Sequence, residues 1–158
     1  MSTALDARTR AEVAADAEIA AGASQRLLED KRAEWSGVTV LVFAQHVVLA
    51  GAVKSAQAKT IVEQVVRRDP RIRTLKNELL AGDVGSFVRD SALEAEINAT
   101  LTAAQGVASV NMRWCATGGS VVLMGVARSK QEAALALGKV RGIGGVKAVR
   151  SHLRVVTP

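Results

Sequence analysis

Few residues in this sequence could perform nucleophilic or metal chemistry. The single cysteine, Cys115, has no histidine in a pattern typical of a nucleophile and its base, and His46 and His152 stand at unrelated positions. Because a free cysteine usually behaves as a small buried apolar residue, we predict a structural role for Cys115. The sequence contains no paired-carboxylate pattern and no metal-ligand spacing. It therefore predicts a binding protein that is not an enzyme and needs no cofactor or metal.

Basic side chains are the most abundant charged groups, and they are clustered. The net charge is +6, from 21 basic and 15 acidic residues. Seven basic and two acidic residues lie between Lys54 and Lys76, and seven basic and one acidic between Arg128 and Arg154. Such clusters are either solvated surface or faces that attract anions, such as lipid headgroups or nucleic acid.

The two basic clusters are equivalent because the chain repeats itself at an offset of 74 residues. The segment 48–57, VLAGAVKSAQ, is matched by the segment 122–131, VLMGVARSKQ. A repeat of this length indicates two copies of one small domain. We predict the following organisation: an N-terminal extension over residues 1–15, a first domain over 16–82, a linker over 83–89 and a second domain over 90–158.

Each copy is predicted to contain two helices. Apolar residues at helical spacing indicate a first helix over residues 16–31, and in the second copy Asp90 is the predicted N-cap of its counterpart. Ser55 and Ser129 are predicted to cap the second helices, which end at plain helix breakers.

Each copy is also predicted to contain three strands. Alternating apolar residues flank predicted hairpin turns at Ala44-Gln45 and Gly118-Gly119, and last strands are expected over residues 72–80 and 146–156. The predicted fold class is therefore α+β, with two tandem α-β-β-α-β units. Each unit is expected to be a three-stranded sheet with two helices packed on one face.

The middle strands carry apolar residues on both faces, over residues 47–53 and 121–127. We therefore expect the second sheet face to be covered, either by the other copy or by a partner. Gly51 and Gly125 lie inside these strands, where glycine costs stability. We predict that each marks a bulge or the close approach of another element, most simply a helix.

These residues carry a resemblance to the BON (bacterial OsmY and nodulation) domain family. The first copy has Val47, Leu49, Gly51, Val53 and Ser55 at alternate positions. The second copy has the same pattern 74 residues later, and the segment 145–155, GVKAVRSHLRV, completes it. The match covers nearly all of residues 16–156, and the first copy departs from it only at Pro70-Arg71-Ile72.

The start of the sequence and the triplet LMG at 123–125 are similar to the dual-BON outer-membrane lipoproteins. That resemblance implies a periplasmic, outer-membrane-associated protein that supports membrane integrity during stress. It also implies binding to anionic phospholipid through the second domain, with envelope proteins as further partners. The given sequence contains no signal peptide and no lipidated cysteine. We therefore expect it to be a soluble form from which both are missing, and the alternative is a cytoplasmic protein.

The lipid-binding residues that the resemblance implies lie at the start of the second domain and in its basic positions. The dual-BON lipoproteins have an aromatic residue near the start of this domain's first helix, and the aligned residue here is Ala92. Phe87 is the nearest aromatic that could replace it. The complete set of candidates is Phe87, Val88, Arg89, Ala92, Arg113 and Lys130.

Two other functions remain open at the level of sequence. A protein-interaction or self-assembly module would use the apolar sheet faces of the two copies. Nucleic-acid binding would use the basic clusters, and the segment 142–145, GIGG, invites comparison with a KH-domain loop. Base-stacking residues are scarce, since the chain has no tyrosine, two phenylalanines and two tryptophans. We therefore predict no nucleic-acid partner.

Overall fold

A computed structural model describes residues 6–156 of the chain, which divide into two compact units. The first domain comprises residues 8–84, and the second comprises residues 85–156 together with residues 6–7. Both domains are α+β, which confirms the predicted fold class.

The first domain follows the predicted order of helix, two strands, helix and strand, with its last strand in two pieces. Its elements are α1 (Arg10–Glu29), β1 (Val38–Phe43), β2 (His46–Val53), α2 (Ala56–Val66), β3 (Thr74–Asn77) and β4 (Leu80–Ala81).

The second domain repeats this order with an added turn of 3-10 helix at Ser109–Asn111. Its elements are α3 (Phe87–Ala103), β5 (Met112–Thr117), β6 (Ser120–Ala127), α4 (Lys130–Arg141) and β7 (Ala148–Val155).

Each sheet is mixed. The first hairpin strand is antiparallel to the middle strand, and the last strand is parallel to the middle strand on its other side. In the first domain the last strand is interrupted because the Asn77 side chain accepts a hydrogen bond from the Leu79 N–H and donates one to the Lys59 carbonyl. The prediction of one continuous strand over residues 72–80 is therefore wrong in detail.

The helices of each domain pack on one face of its sheet, as predicted. In the first domain Ile19 of α1 and Val62 of α2 are fully buried over Leu49 of β2. The other face of β2 is buried as well, since Val48 is only 2% exposed. Fully burying an aliphatic side chain contributes about 1.5–3 kcal/mol, so these clusters are the main source of stability in each small domain.

The second domain has an equivalent core. Ile97 and Leu101 of α3 and Val140 of α4 are fully buried over Leu123 of β6. Cys115 belongs to β5 and is 4% exposed, which agrees with the structural role predicted for it.

The first helices begin earlier than the sequence pattern predicted. In α1, Thr9 forms a capping box with Glu12, so the helix starts inside the predicted N-terminal extension. The residues before Asp6 lie outside the described part of the chain. In the second domain the N-cap is Ser86, and Asp90 lies in the first turn of α3. The prediction of Asp90 as the N-cap is therefore wrong.

Asp16 and Asp90 stand at equivalent positions of the repeat, and each binds the hairpin turn of its own domain. The Asp16 carboxylate accepts hydrogen bonds from the Ala44 and Gln45 N–H groups, at 2.8 and 2.7 Å. The Asp90 carboxylate accepts one from the Gly118 N–H at 2.9 Å. Each aspartate therefore ties its first helix to the hairpin turn of its own sheet.

Gly51 and Gly125 are structural, but the element that approaches them is a strand entrance and not a helix. A Cβ atom added to Gly51 would lie 2.0 Å from the carbonyl oxygen of Gly37, just before β1. One added to Gly125 would lie 2.1 Å from the carbonyl oxygen of Asn111, just before β5. The predicted close approach is therefore confirmed at both glycines, and the group that approaches is a backbone carbonyl.

None of the helices within residues 6–156 is both long enough and apolar enough to cross a bilayer.

Candidate functional site

The first turn of α3 exposes two large apolar side chains. Phe87 is 87% exposed and Val88 is 74% exposed, and both precede Arg89. The helix starts at Phe87 because Ser86 has extended backbone dihedrals and Asp90 in the first turn complements the helix dipole. An exposed aromatic next to an exposed aliphatic residue is costly in water, so this turn is a candidate contact surface.

A cleft of about 550 Å³ lies beside this turn. It is bounded by the first turns of α3, by the hairpin turn between β5 and β6, and by the loop that leads into β7. Its lining is mostly small or polar, and comprises Gly85, Ser86, Arg89, Asp90, Ala92, Leu93, Glu96, Gly118, Gly119, Gly144, Gly145 and Lys147.

The walls of the cleft are held together by hydrogen bonds. The Asp90 carboxylate accepts from the Gly118 N–H on one side and from the Ser86 N–H, at 3.1 Å, on the other. The Lys147 N–H donates to the Gly119 carbonyl at 2.8 Å, which joins the hairpin turn to the entrance of β7. The cleft is therefore built into the backbone of the second domain.

Two cations and two carboxylates line the cleft. Arg89 and Lys147 are exposed, and the Lys147 side chain lies over Gly119, where an added Cβ would be 3.0 Å from the lysine Cγ. Asp90 uses its carboxylate to bind backbone amides. Glu96 is exposed and contributes an acidic edge.

The structure brings four of the six predicted lipid-binding residues together. Phe87, Val88, Arg89 and Ala92 share the start of α3, and the last two line the cleft. Their grouping follows from the earlier start of the helix, which incorporates Phe87 into its first turn.

Arg113 and Lys130 lie at the other end of the second domain's sheet. In β5, Thr117 is paired at the hairpin turn beside the cleft, whereas Arg113 is paired with Met124 near the opposite end. Lys130 begins α4 just after β6 ends at that same opposite end. The Arg113 guanidinium donates to the carbonyls of Val110 and Met112, so it is held locally.

Lys147 and the two glycine pairs are the site residues that sequence reasoning missed. In the sequence Gly118-Gly119 indicates a hairpin turn, Gly144-Gly145 belongs to the GIGG segment compared above with a KH-domain loop, and Lys147 is one of several basic residues near the last strand. The 74-residue repeat could have singled them out, because the first copy has Ala44-Gln45 and Pro70-Arg71 at the same positions.

The same region of the first domain is filled by an ion-pair network around Asp69. Arg71 donates to both carboxylate oxygens of Asp69, at 2.9 and 2.8 Å, and also pairs with Glu18 on α1. Arg26 contacts the same aspartate at 3.4 Å. Hydrogen bonding from Arg71, the largest cause, lowers the pKa of Asp69 to about 2 although the residue is only 3% exposed.

This network makes the stability of the first domain depend on pH. A carboxylate whose pKa is lower in the folded than in the unfolded state stabilises the fold above its unfolded pKa, near 4, and loses that effect as the pH falls toward 2. We expect Asp69→Asn to cost about 2 kcal/mol more at pH 6 than at pH 2. Urea denaturation of both proteins at the two pH values measures this difference. Equal losses at both would contradict the assignment.

The described residues contain no candidate metal centre. Within residues 6–156, no three His, Cys, Asp or Glu side chains are grouped so that they could hold a metal ion. The exposed groups at the cleft are cations, amides and one free carboxylate, which suit binding by charge and hydrogen bonding.

Comparison with known proteins places this architecture in a family. The BON domain profile matches residues 6–82 and again residues 89–157. The chain therefore belongs to the BON domain family and carries two BON domains in tandem. This family is generally non-enzymatic and is associated with envelope and phospholipid-binding roles.

Individual relatives were also found. An uncharacterized protein in the gshII 5′ region of Anaplasma centrale is 32% identical over 125 residues, which is 77% of this chain and 83% of that protein. Among solved structures, CdsD, a structural protein of the type III secretion system of Chlamydia trachomatis, is similar with a TM-score of 0.39 and 14% identity. That alignment covers 90% of this chain, which spans 64% of the CdsD chain. A structure of the CdsD C-terminal domain gives a TM-score of 0.37 at 14% identity, covering 89% of this chain and 67% of that one.

Proposed function

We propose that the second domain binds the surface of membranes that contain anionic phospholipid, through the first turn of α3, and that it does so without chemistry. The observation that carries the proposal is the 87% exposure of Phe87 beside an exposed Val88 and Arg89. An aromatic side chain inserted at the headgroup level removes apolar area from water, and a cation beside it attracts the negative surface.

The energies of these contacts are sufficient for reversible binding. Full burial of a phenylalanine or valine contributes about 1.5–3 kcal/mol, and each basic residue near an anionic surface about 1 kcal/mol. The expected interaction is therefore weak for one molecule and sensitive to salt.

Liposome co-sedimentation tests this proposal. The wild-type chain is expected to bind vesicles of phosphatidylglycerol and phosphatidylcholine, and to bind pure phosphatidylcholine vesicles at least tenfold more weakly. Phe87→Ser is expected to lower the affinity for the anionic vesicles at least tenfold, because each 1.4 kcal/mol corresponds to a factor of ten.

The first domain offers a matched control for this variant. Val13 of α1 is the equivalent of Phe87 in the repeat, 74 positions earlier, and is 40% exposed. Val13→Ser is expected to leave vesicle binding unchanged. Unchanged binding by Phe87→Ser, or equal binding to both kinds of vesicle, would refute the proposal.

In the cell we propose a role in maintaining the envelope, with the protein in the periplasm at the outer membrane and envelope proteins as further partners. The support is the family membership and the amphipathic turn of α3. Fractionation of cells that produce the full-length protein tests the location, and recovery only in the cytoplasmic fraction would overturn it.

A further inference from the structure

The two domains differ at one equivalent place, where side chains form an ion-pair network in the first domain and line a cleft in the second. In the first domain Arg71 occupies this place, bonded to Asp69 and Glu18, and its carbonyl accepts a hydrogen bond from the Gln45 side chain. Four side chains from three elements therefore close the gap between α1, the hairpin turn and the entrance of β3.

In the second domain the counterparts of Arg71, Glu18 and Gln45, 74 positions later, are small, and the counterpart of Asp69 is the buried Ile143. Gly145 stands in place of Arg71, Ala92 in place of Glu18, and Gly119 in place of Gln45. All three of these small residues line the cleft of about 550 Å³. The cleft therefore lies at the positions where the first domain has side chains joined by hydrogen bonds and ion pairs.

One ion pair of the first domain is absent at the mouth of this cleft. In the first domain Arg73 pairs with Glu12 at 2.8 Å. The second domain keeps the cation at this position, as Lys147, and replaces the glutamate by Ser86. Among residues 6–156, no carboxylate forms an ion pair with the Lys147 side chain. Lys147 therefore retains its charge for an external anion.

The hydrogen bonds of the hairpin-turn N–H groups also differ between the two domains. Asp16 accepts both turn amides of the first domain, whereas Asp90 accepts the Gly118 amide and, in place of the second one, the Ser86 amide. Within the described chain the Gly119 N–H has no hydrogen-bond acceptor. An amide donor beside a lysine is chemistry that suits a phosphate oxygen.

We propose that this cleft is a subsite for a phosphodiester group, namely the phosphate of the anionic lipid whose surface α3 contacts, and that the first domain is the same site closed by its own ion pairs. This inference rests on the proposed function, since Phe87 and Val88 would place the lipid beside the cleft. Glu96 on the cleft edge disfavours a doubly charged phosphate monoester and accepts hydrogen bonds from headgroup hydroxyls.

The closing experiment uses a soluble headgroup, so that it does not depend on membrane insertion. The isotope-labelled chain is titrated with glycerophosphoglycerol and, separately, with inorganic phosphate, and the amide signals of Gly119, Gly144 and Gly145 are followed by NMR. We expect saturable shifts of these signals with the diester and at least fivefold weaker binding of inorganic phosphate.

Charge variants locate the binding site. Lys147→Gln is expected to weaken diester binding at least fivefold, whereas Lys130→Gln, the same change at the other end of the sheet, leaves it within twofold. Ser86→Glu recreates the acidic partner that Arg73 has in the first domain and is expected to weaken binding at least fivefold, with the neutral Ser86→Gln as its control. Glu96→Gln is expected to strengthen binding of inorganic phosphate.

The outcomes separate this inference from the proposed function. If the diester binds the cleft but Phe87→Ser leaves vesicle binding unchanged, the subsite stands and the proposed membrane contact fails. If vesicle binding requires Phe87 but the glycine signals do not move and Lys147→Gln behaves as the wild type, the subsite is overturned and the membrane contact stands. A preference for inorganic phosphate over the diester would overturn the assignment of the ligand.

Discussion

Replacing Gly51 by alanine is expected to unfold the first domain or to leave it only marginally stable. The new Cβ would lie 2.0 Å from the Gly37 carbonyl oxygen, and this oxygen cannot retreat because it accepts a hydrogen bond from the Ala52 N–H. The backbone at Gly51 also has φ of +107°, which residues with a side chain rarely adopt. We expect a loss of roughly 5 kcal/mol, at the upper end for single substitutions and comparable to the whole stability of a small domain.

Gly82 supplies a control that separates the effect of the close contact from the effect of backbone strain. It has φ of +118° in the same domain, and a Cβ there would meet no atom within 4 Å. Gly82→Ala is therefore expected to cost about 1–3 kcal/mol, from backbone strain alone. Urea denaturation, followed by the emission of Trp35 in a Trp114→Phe background, measures both variants in the first domain. Equal losses would show that the contact with Gly37 is not decisive.

The fold was predictable because its determinants are local and occur twice. Hairpin turns, the serine caps of α2 and α4 and the apolar periodicity all appear at the expected places. The start of α3 was not predictable, since Ser86 makes no side-chain cap hydrogen bond and Asp90 fits a capping pattern while serving the hairpin turn. An aspartate at this position could either cap the helix or bind the hairpin turn, and only the tertiary contacts decide which of the two it does.

The candidate site was predictable only where its residues are close together in the sequence. The exposed turn of α3 is a continuous segment, so neighbouring residues in the sequence remain neighbours in the structure. Arg113 and Lys130 were grouped with it on charge alone, and strand direction places them at the far end of the sheet. Lys147 lies about 60 positions after the turn of α3, and only the pairing of β6 with β7 brings it to the cleft.

The divergence of the two copies agrees with the proposal that only the second domain binds. Side chains that close the first domain internally, through Asp69 and Arg71, make it a self-contained scaffold. Loss of that network from the second domain gives up stabilising contacts and leaves an open, charged cleft. A site that lacks the stabilising contacts found at the same place in the other copy is typical of a binding site.

Asp16→Ala is expected to destabilise the first domain by about 3–4 kcal/mol, because two N–H groups lose their acceptor where the carboxylate is 4% exposed. The turn it holds is strained, with φ of +51° at Ala44 and +68° at Gln45. The carboxylate also pairs with Arg8 at 3.0 Å, and that guanidinium lies over the Phe43 ring. Removing Asp16 therefore takes away the acceptor of both turn amides and leaves the turn to its remaining contacts, such as the hydrogen bond from the Gln45 side chain to the Arg71 carbonyl.

Asp90→Ala, the matched change in the second domain, is expected to cost about 1–2 kcal/mol, since its turn consists of glycines that adopt positive φ without strain. The two losses are measured by urea denaturation, with Trp35 reporting on the first domain and Trp114 on the second. Ala44→Gly in the Asp16→Ala background should recover about 1 kcal/mol, because it removes the strain that the carboxylate offsets. Equal losses in both domains, or no recovery by Ala44→Gly, would mean that the aspartates act only as hydrogen-bond acceptors and that turn strain contributes nothing to the difference.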